Sequence, residues 1–455
     1  MSTRPPMAAR DVALEALVRI DDGAFAHIVL PGLLRGSSLT PRDRAFVTDL
    51  VYGTVRARRR LDARLAAVSS RPLSRVDPIV LAGLRLGARQ LETGVAQHAA
   101  VAETVDAIAR RSPRARGFAN ACLRALTRTS PDLPPSGDPI TDLGVELSYP
   151  DWIVRNFVTE FGAPRARAIL ATGNEPAAVT LRPARHRSRA AELDAEFAAT
   201  PGMSVEPGTV VPDARIVRGI GDPAALAAVR QGRATPQDQS SMAVVTLVDP
   251  QLGDRVLDLA AAPGGKSTGI AELVGPHGFV VASDLQPGRL ALVERASKRL
   301  ELTDRLATLV ADGAALPAPD ASFDRVLVDA PCSGLGVLRR RPDARWRTRE
   351  GAIAGLAAIQ RALVAEAVRV VRPGGTIVYS VCTLTAPETI DLDRWLEKEH
   401  PELVAPGPLP EPWEPHGRGA RLLPDVTGTD GMYALILRAP GSAPGPAGTA
   451  PRMPE

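Results

Sequence analysis

From about residue 236 onward, short apolar runs alternate regularly with helical segments. The runs that we predict to be strands are Val256–Leu259, Phe279–Ala282, Ala307–Val310, Val326–Val328, Thr376–Val381 and Tyr433–Leu437. Continuous apolar strands separated by helices are typical of a parallel sheet that helices cover on both faces. We therefore predict a doubly wound, Rossmann-like α/β domain over residues 236–440. Ligands of such domains bind at the carboxyl ends of the strands.

The first 135 residues have a different pattern. Apolar residues recur there at helical spacing, for example Val12, Ala16, Leu17 and Ile20, and the alternation of strand and helix is missing. This predicts an all-α domain over residues 1–135.

Two further regions differ in composition from both domains. A run rich in Pro, Gly and Asp at 131–140 indicates a linker, and residues 141–235 mix helical segments with short strand-like runs. We predict a small α+β insert over 141–235. The tail 441–455 is rich in Pro, Gly and Ala, and we expect it to be disordered.

Composition excludes several classes of protein. Apolar residues make up 45% and charged residues 23% of the 455, as in ordinary globular proteins. No apolar run reaches the roughly 18 residues that span a bilayer, so we expect no membrane association. Three cysteines without a CxxC pair, and six histidines without ligand spacing, predict neither disulfides nor a metal site. We therefore expect a soluble, cytoplasmic protein.

Charge is distributed unevenly along the chain. Residues 1–135 contain 21 Arg, no Lys and 12 acidic residues, a net charge of +9, whereas the whole chain carries only +4. Such an asymmetry predicts that the N-terminal domain faces a polyanion.

The glycine-rich loop after the first predicted strand allows two interpretations. The segment from Ala260 to Ser267 resembles a phosphate-binding P-loop, but Ala260 stands where GxxxxGK[ST] needs Gly, and Pro263 makes the loop rigid. The other interpretation is a loop that packs against an adenosine cofactor such as S-adenosylmethionine. Carboxylates favour the second one, because Asp284, Asp312 and Asp329 end three successive strands at one edge of the predicted sheet.

Two cysteines are predicted to lie at the same edge. Cys332 follows the fourth strand and Cys382 ends the next long one. A thiol beside a methyl donor suggests methylation of carbon 5 of cytosine, because thiolate addition to C6 makes C5 nucleophilic. Asp329 is placed to neutralise charge at N3 of the ring, and a second group must help to expel the thiol. The target base must leave its stack to enter such a site.

The motifs around these residues resemble those of RNA cytosine-5 methyltransferases. The matching segments are Asp258–Lys266, Asp329–Gly334, Arg341–Trp346, Val381–Thr383 and Thr429–Tyr433. The resemblance implies that Cys382 is the nucleophile and that Cys332 assists product release. It also implies contacts with S-adenosylmethionine by these residues: Ala260, Ala261, Ala262, Pro263, Gly264, Gly265, Lys266, Asp284, Asp312 and Asp329.

The N-terminal domain has a resemblance of its own. Asp43–Phe46, Leu50–Arg56 and Phe118–Arg124 resemble the NusB-like RNA-binding domain. Its fusion to this catalytic domain is similar to the RsmB (Sun) type of ribosomal RNA small-subunit methyltransferase, which implies 16S ribosomal RNA as substrate and no DNA partner. Transfer RNA or another RNA is the alternative substrate. A P-loop-like ATPase and a non-catalytic RNA-binding module are alternatives of another class.

A basic segment follows the Cys332 motif. Six arginines surround Trp346 between Arg339 and Arg349. We predict that this segment contacts the RNA backbone, with Trp346 stacking or packing.

Overall fold

The computed structural model describes residues 8–129 and 133–441. Its helices are α1 (Ala9–Asp21), α2 (Ala26–Arg35), α3 (Pro41–Val68), α4 (Pro78–Glu92), α5 (Gln97–Arg111), α6 (Arg116–Arg128), α7 (Pro139–Leu147), α8 (Asp151–Phe161), α9 (Ala163–Thr172), α10 (Ala190–Ala198), α11 (Ala227–Arg230), α12 (Gln239–Val248), α13 (Gly265–Leu273), α14 (Pro287–Leu300), α15 (Ala344–Arg347), α16 (Ala352–Val370), α17 (Ile390–Glu399) and α18 (Pro424–Thr427). Its strands are β1 (Val179–Pro183), β2 (Ser204–Pro207), β3 (Arg215–Arg218), β4 (Ala234–Pro236), β5 (Arg255–Leu259), β6 (Phe279–Asp284), β7 (Leu306–Val310), β8 (Phe323–Asp329), β9 (Val371–Val381), β10 (Glu414–His416), β11 (Gly419–Leu422) and β12 (Met432–Arg438).

The chain forms two compact units. The helical unit comprises the residues up to Pro176 together with Val337–Glu350, and the sheet unit comprises Ala177–Gly336 and the residues from Gly351 onward. The chain thus leaves the sheet unit after Gly336 and returns at Gly351. The predicted tail 441–455 lies, beyond residue 441, outside the described residues.

Several helices begin at a capping residue followed by proline. Thr40 caps α3, Asp77 caps α4 and Asp138 caps α7, and in each case a side-chain oxygen accepts hydrogen bonds from the first backbone N–H groups of the helix. Proline fits the next position because it has no N–H to satisfy and its φ is already helical. These local signals fix where the three helices begin.

The predicted insert over 141–235 is divided between the two units. Helices α7 to α9 belong to the helical unit, where Arg59 of α3 donates to Tyr149 O at 2.6 Å and pairs with Asp151 at 2.6 Å. A four-stranded antiparallel sheet with the order β2-β3-β1-β4 belongs to the sheet unit. The sequence did not reveal this division, because the contacts that hold α7 to α9 come from residues about 90 positions away.

The main sheet has eight strands in the order β10-β11-β12-β9-β8-β5-β6-β7. Strands β5 to β9 pair in parallel, and helices cover both faces: Val256 of β5 packs in one core, and Leu257 and Leu259 pack in the other. The doubly wound α/β prediction is confirmed.

The expectation of parallel pairing is wrong for the last run, Tyr433–Leu437. It lies in β12, which pairs antiparallel with β9 and with β11. Short connections join β10, β11 and β12, and such connections allow only antiparallel neighbours.

Candidate active site

The loop between β5 and α13 presents its backbone at the carboxyl edge of the sheet. Ala260 has φ 59° and Gly264 has φ 99°, the left-handed region that costs least for glycine. A Cβ at residue 264 would also lie 3.0 Å from Cα of Val293. The loop therefore needs Gly264 both for its backbone angle and for its approach to α14.

Asp284 ties this loop to the next strand. It ends β6, is 6% exposed, and its Oδ2 accepts a hydrogen bond from the N–H of Ala262 at 3.3 Å. Its Oδ1 accepts from the N–H of Gln286 at 3.0 Å, and Arg289 donates to Ala262 O at 2.8 Å. Asp284, predicted to lie at the end of this strand, thus lies against the loop in the structure.

Asp329 is the last residue of β8 and forms an ion pair with Lys266. Lys266 Nζ lies 2.7 Å from Asp329 Oδ2, and Ser380 Oγ donates to Asp329 Oδ1 at 2.9 Å. Burial alone would lower the pKa of Lys266, but the charges of Asp329 and Cys382 outweigh it and raise this pKa above its ordinary value. The site therefore holds a fixed ammonium charge beside both a carboxylate and a sulfur.

Asp312 is less enclosed than the other two carboxylates. It follows β7, is exposed, and its Oδ1 accepts from the N–H of Ala314 at 2.9 Å. The adjacent Gly313 is packed so closely that a Cβ there would lie 2.7 Å from Cδ2 of Leu363. The backbone of this turn therefore packs against Leu363, while the Asp312 side chain stays exposed to solvent.

The two predicted cysteines face each other across neighbouring strand ends. Cys332 Sγ lies 3.3 Å from Cys382 Sγ, and both residues are half-buried. The hydrogen bond with Cys382, together with burial and the charges of Cys382 and Glu388, raises the pKa of Cys332 well above its ordinary value. Cys332 therefore keeps its proton, and Cys382 is the sulfur whose charge interacts with Lys266.

A buried carboxylate that sequence reasoning missed connects the two cysteine loops. Glu388 is fully buried and accepts from the N–H and Oγ of Ser333 at 2.8 and 2.5 Å, from Thr385 Oγ1 at 2.7 Å and from Gln360 Nε2 at 3.1 Å. Gln360 also donates to Pro331 O at 2.9 Å. Four donors of this kind satisfy a carboxylate that would otherwise be very costly to bury.

The position of Glu388 explains how the sulfurs are held. Ser333 follows Cys332 directly, and Thr385 lies three residues after Cys382, so one carboxylate fixes both loops. Gly336 adds a second link, since its N–H donates to Cys382 O at 2.9 Å. No local signal in the sequence indicates this role, because Ser333 and Gln360 lie 55 and 28 positions from Glu388.

Asp258 lies beneath the glycine loop in the middle of the sheet. It is fully buried, and Ser267 Oγ donates to its Oδ2 at 2.5 Å. Burial raises its pKa to about 7, and the neighbouring carboxylates act in the same direction. A proton at this position is therefore exchanged near neutral pH.

Comparisons with known proteins identify the family. The family described as "16S rRNA methyltransferase RsmB/F" matches residues 245–438, and the NusB family matches residues 7–128. The chain is 35% identical over 447 residues to the "Probable ribosomal RNA small subunit methyltransferase B" of Bacillus subtilis (strain 168), covering 95% of this chain and 99% of that protein. The chain belongs to the RsmB/F family of rRNA methyltransferases. It is also 33% identical over 439 residues to the "Ribosomal RNA small subunit methyltransferase B" of Sodalis glossinidius (strain morsitans), covering 94% and 97% of the two chains.

A solved structure shares the fold over nearly the whole chain. The crystal structure of PH0851 superposes with a TM-score of 0.83 at 22% identity, covering 96% of this chain and 100% of that one. The predicted NusB-like helical domain followed by a methyltransferase domain is confirmed. S-adenosylmethionine is the cofactor of this family, which decides between the two interpretations of the glycine loop.

The residues at the loop fit that cofactor. Residues 260–264 carry no bulky side chain apart from Pro263, so their backbone can approach a ligand closely, and the carboxylate of Asp284 accepts a hydrogen bond from Ala262 beside it. The assignment of individual contacts to Ala260–Lys266, Asp284, Asp312 and Asp329 stays a prediction. The roles assigned to Cys382 and Cys332 also stay predictions.

The basic segment after the Cys332 loop differs from expectation. Arg345 is fully buried in the helical unit, with its guanidinium 3.9 Å from the ring centroid of Tyr149 and hydrogen-bonded to Asn174 Oδ1 at 2.7 Å. Trp346 donates from Nε1 to Val55 O at 2.8 Å. Arg345 packs inside the helical unit and is not available for an RNA backbone, and Trp346 is half-buried and packs, which is one of the two roles predicted for it. Arg341 and Arg349 are exposed.

Two further findings concern the residues that the structure describes. None of their helices is both long and apolar enough to cross a membrane. In the same ranges, no three His, Cys, Asp or Glu side chains come together in a group that could hold a metal ion.

Proposed function

We propose that this protein methylates C5 of a cytosine in 16S ribosomal RNA and that Cys382 forms a transient bond with C6 of that base. One observation carries the proposal: two sulfur atoms 3.3 Å apart lie beside the Lys266–Asp329 ion pair, at the strand ends next to the glycine loop. Methylation of a ring nitrogen, an amino group or a hydroxyl does not need a sulfur nucleophile, still less two.

The first step is addition of the Cys382 sulfur to C6. The bond forms with electrons from the sulfur, and the C5–C6 double bond shifts its electron density to C5 and toward N3. The Lys266 ammonium favours the ionised sulfur that this step requires. We assign to Asp329 the delivery of a proton to N3. Since Asp329 is the carboxylate of an ion pair, that proton comes from the Lys266 ammonium, 2.7 Å away, and returns to it when N3 is deprotonated in the last step.

S-adenosylmethionine, when bound, supplies the electrophilic methyl group that C5 acquires. The protein holds the cytosine ring, excludes water and transfers the protons at N3 and C5.

Cys332 is assigned to the last step. After methylation, C5 must lose its proton, the C6–S bond must break, and the proton on N3 must leave. While Cys382 is bonded to carbon it carries no charge, and its sulfur is a much weaker acceptor for the Cys332 thiol. Two of the causes that raise the pKa of Cys332, the hydrogen bond with Cys382 and the charge of Cys382, are then lost, while burial and the charge of Glu388 remain. Cys332 therefore becomes easier to ionise at the stage where a base is needed, and it takes the proton from C5.

The substrate assignment follows from the family and from the charge of the helical domain. The relatives from Bacillus subtilis and Sodalis glossinidius carry the name ribosomal RNA small subunit methyltransferase B. A helical domain with a net charge of +9 suits a polyanionic substrate. A cytoplasmic location, where such RNA is found, is part of this proposal.

Bisulfite mapping tests the proposal directly. The purified protein is incubated with S-adenosylmethionine and either 16S ribosomal RNA or transfer RNA, and protected cytosines are mapped by sequencing. We expect one protected cytosine in 16S ribosomal RNA and none with the Cys382→Ala variant. Protection in transfer RNA alone would overturn the substrate assignment, and methyl incorporation without a protected cytosine would overturn the C5 chemistry.

A further inference from the structure

A cavity lies inside the helical unit, and none of its lining residues is used in the proposed methyl transfer. Its volume is about 350 Å³, within the range of small-molecule sites. Leu17 and Ile20 of α1 and Val55 of α3 supply apolar walls, and Trp346 of the basic segment supplies an aromatic one. A planar, partly apolar group would fit this lining.

Two of the residues that line the cavity each have a buried polar atom without a hydrogen-bond partner among the described residues. They are Oγ1 of Thr54 and Oδ1 of Asp343, and each residue is only 1% exposed. The other oxygen of Asp343 is held by Arg347 Nε at 3.1 Å and by the N–H of Ala26 at 3.4 Å. Since burying a polar atom without a hydrogen bond is costly, two such atoms in residues that line one cavity point to a ligand with hydrogen-bonding groups.

The charge at this cavity is positive. Arg85 pairs with Asp62 and Asp21, and Arg347 pairs with Asp343. Arg349 also lines the cavity, is exposed, and has no carboxylate within ion-pair distance among the described residues. The uncompensated cation therefore lies where a ligand could reach it from solvent, which suits a phosphate group.

We propose that this cavity binds one unpaired nucleotide of the RNA substrate, with the base inside and its phosphate on Arg349. Asp343 Oδ1 accepts a hydrogen bond from an N–H of the base, and the Thr54 hydroxyl makes a second one. Trp346 and the apolar walls cover the ring. This extends the proposed function to an RNA contact outside the catalytic unit and rests on that function only for the class of ligand.

Thr54→Val is the sharpest variant. It keeps the shape of the side chain and removes a hydroxyl that has no partner in the protein, so folding should not suffer. We expect affinity for a fluorescein-labelled single-stranded 16S RNA fragment, measured by anisotropy on the full-length protein, to fall about 3- to 10-fold. Thr48→Val, on the same helix with its hydroxyl bonded to Arg44 O, is the matched control and should bind like the wild type.

Arg349→Ala tests the phosphate contact. This substitution should weaken the binding of all RNA sequences by a similar factor. It should also reduce the slope of log affinity against log salt concentration by about 1, the value for one phosphate contact. Arg394→Ala, exposed on α17 and outside both the cavity and the basic segment, should leave the salt dependence unchanged. Wild-type affinity in Thr54→Val would overturn the proposal, and an unchanged salt dependence in Arg349→Ala would overturn the phosphate contact.

The outcome is separable from that of the proposed function. All binding measurements are repeated in the Cys382→Ala background, where no methyl transfer is expected. Loss of affinity with Thr54→Val in that background supports the cavity even if bisulfite mapping fails. A mapped 5-methylcytosine with unchanged affinity of Thr54→Val overturns the cavity alone.

Discussion

Glu388 holds Ser333 by two hydrogen bonds, from the backbone N–H at 2.8 Å and from the hydroxyl at 2.5 Å. Ser333 is the residue after Cys332, and Glu388 itself lies six residues after Cys382. The separation of the two sulfurs is therefore set by a carboxylate that touches neither of them. Catalytic groups need such support, because small displacements of a reacting atom cost large factors in rate.

Replacing Glu388 by Gln should slow methyl transfer without weakening cofactor binding. The amide keeps the shape but loses the charge that strengthens the bonds from Ser333 and Thr385. We expect kcat to fall about 10-fold or more, which corresponds to about 1.4 kcal/mol in the barrier. Single-turnover transfer measures the rate, and equilibrium titration with S-adenosylmethionine measures the affinity.

Glu399→Gln, at the exposed end of α17, is the control for this variant and should keep the wild-type rate. A Glu388→Gln protein with normal kcat and a raised KM for RNA would refute the positioning role, because it would indicate a substrate contact instead.

The two cysteines should give opposite phenotypes. Cys382→Ala removes the atom that bonds to C6, so neither transfer nor a covalent complex is expected. Cys332→Ala leaves addition intact and blocks release, so RNA should remain attached through Cys382 in a complex that survives denaturing electrophoresis. Cys122→Ala, in the helical unit far along the sequence, is the matched control and should transfer methyl groups normally.

An adduct formed by Cys382→Ala and absent from Cys332→Ala would exchange the two assignments. Absence of an adduct from both variants, with transfer lost in both, would leave no support for a covalent pathway.

Local patterns in the sequence predicted the strands that carry the site. The apolar runs near Val256, Phe279 and Val326 became β5, β6 and β8, because a strand buried on both faces must be apolar along its length. The carboxylates and cysteines at strand ends followed from the topology, since parallel strands bring their carboxyl ends to one edge.

What the sequence did not predict depends on contacts between distant residues. Arg345 looked like part of a solvated basic loop, yet it is buried against Tyr149, 196 positions earlier. Glu388 drew no attention because its partners Ser333 and Gln360 come from other elements. A charged residue in a local pattern cannot show whether distant donors will bury it.

Asp258 should make stability depend on pH between acid and neutral conditions. In the folded protein its pKa is about 7, against 3.8 for an ordinary Asp. Between these two values the folded state binds more protons than the unfolded chain, so the free energy of unfolding falls as the pH rises through this window. Asp258→Asn removes the titrating group and should flatten that part of the profile.

Thermal unfolding of both proteins at a series of pH values measures this difference. The melting temperature of the Asn variant minus that of the wild type should increase as the pH rises from about 4 to about 7. This difference should become constant above the pKa that Asp258 has in the folded protein. Asp312→Asn, an exposed control at a neighbouring strand end, should follow the wild-type profile. A gap between Asp258→Asn and wild type that shrinks with rising pH would refute the buried, protonated Asp258.

Arg345→Met should destabilise the helical unit. The guanidinium lies over the Tyr149 ring and donates to Ser148 O at 3.2 Å, Gly173 O at 3.2 Å and Asn174 Oδ1 at 2.7 Å, so its removal leaves buried acceptors unpaired. Met retains most of the apolar packing, which confines the loss to these polar contacts. We expect a cost of about 1–3 kcal/mol, seen as a lower melting temperature. Arg341→Met, exposed on the same segment, should change stability by no more than about 0.5 kcal/mol. Equal melting temperatures for Arg345→Met and Arg341→Met would mean that the segment 337–350 is not anchored through Arg345.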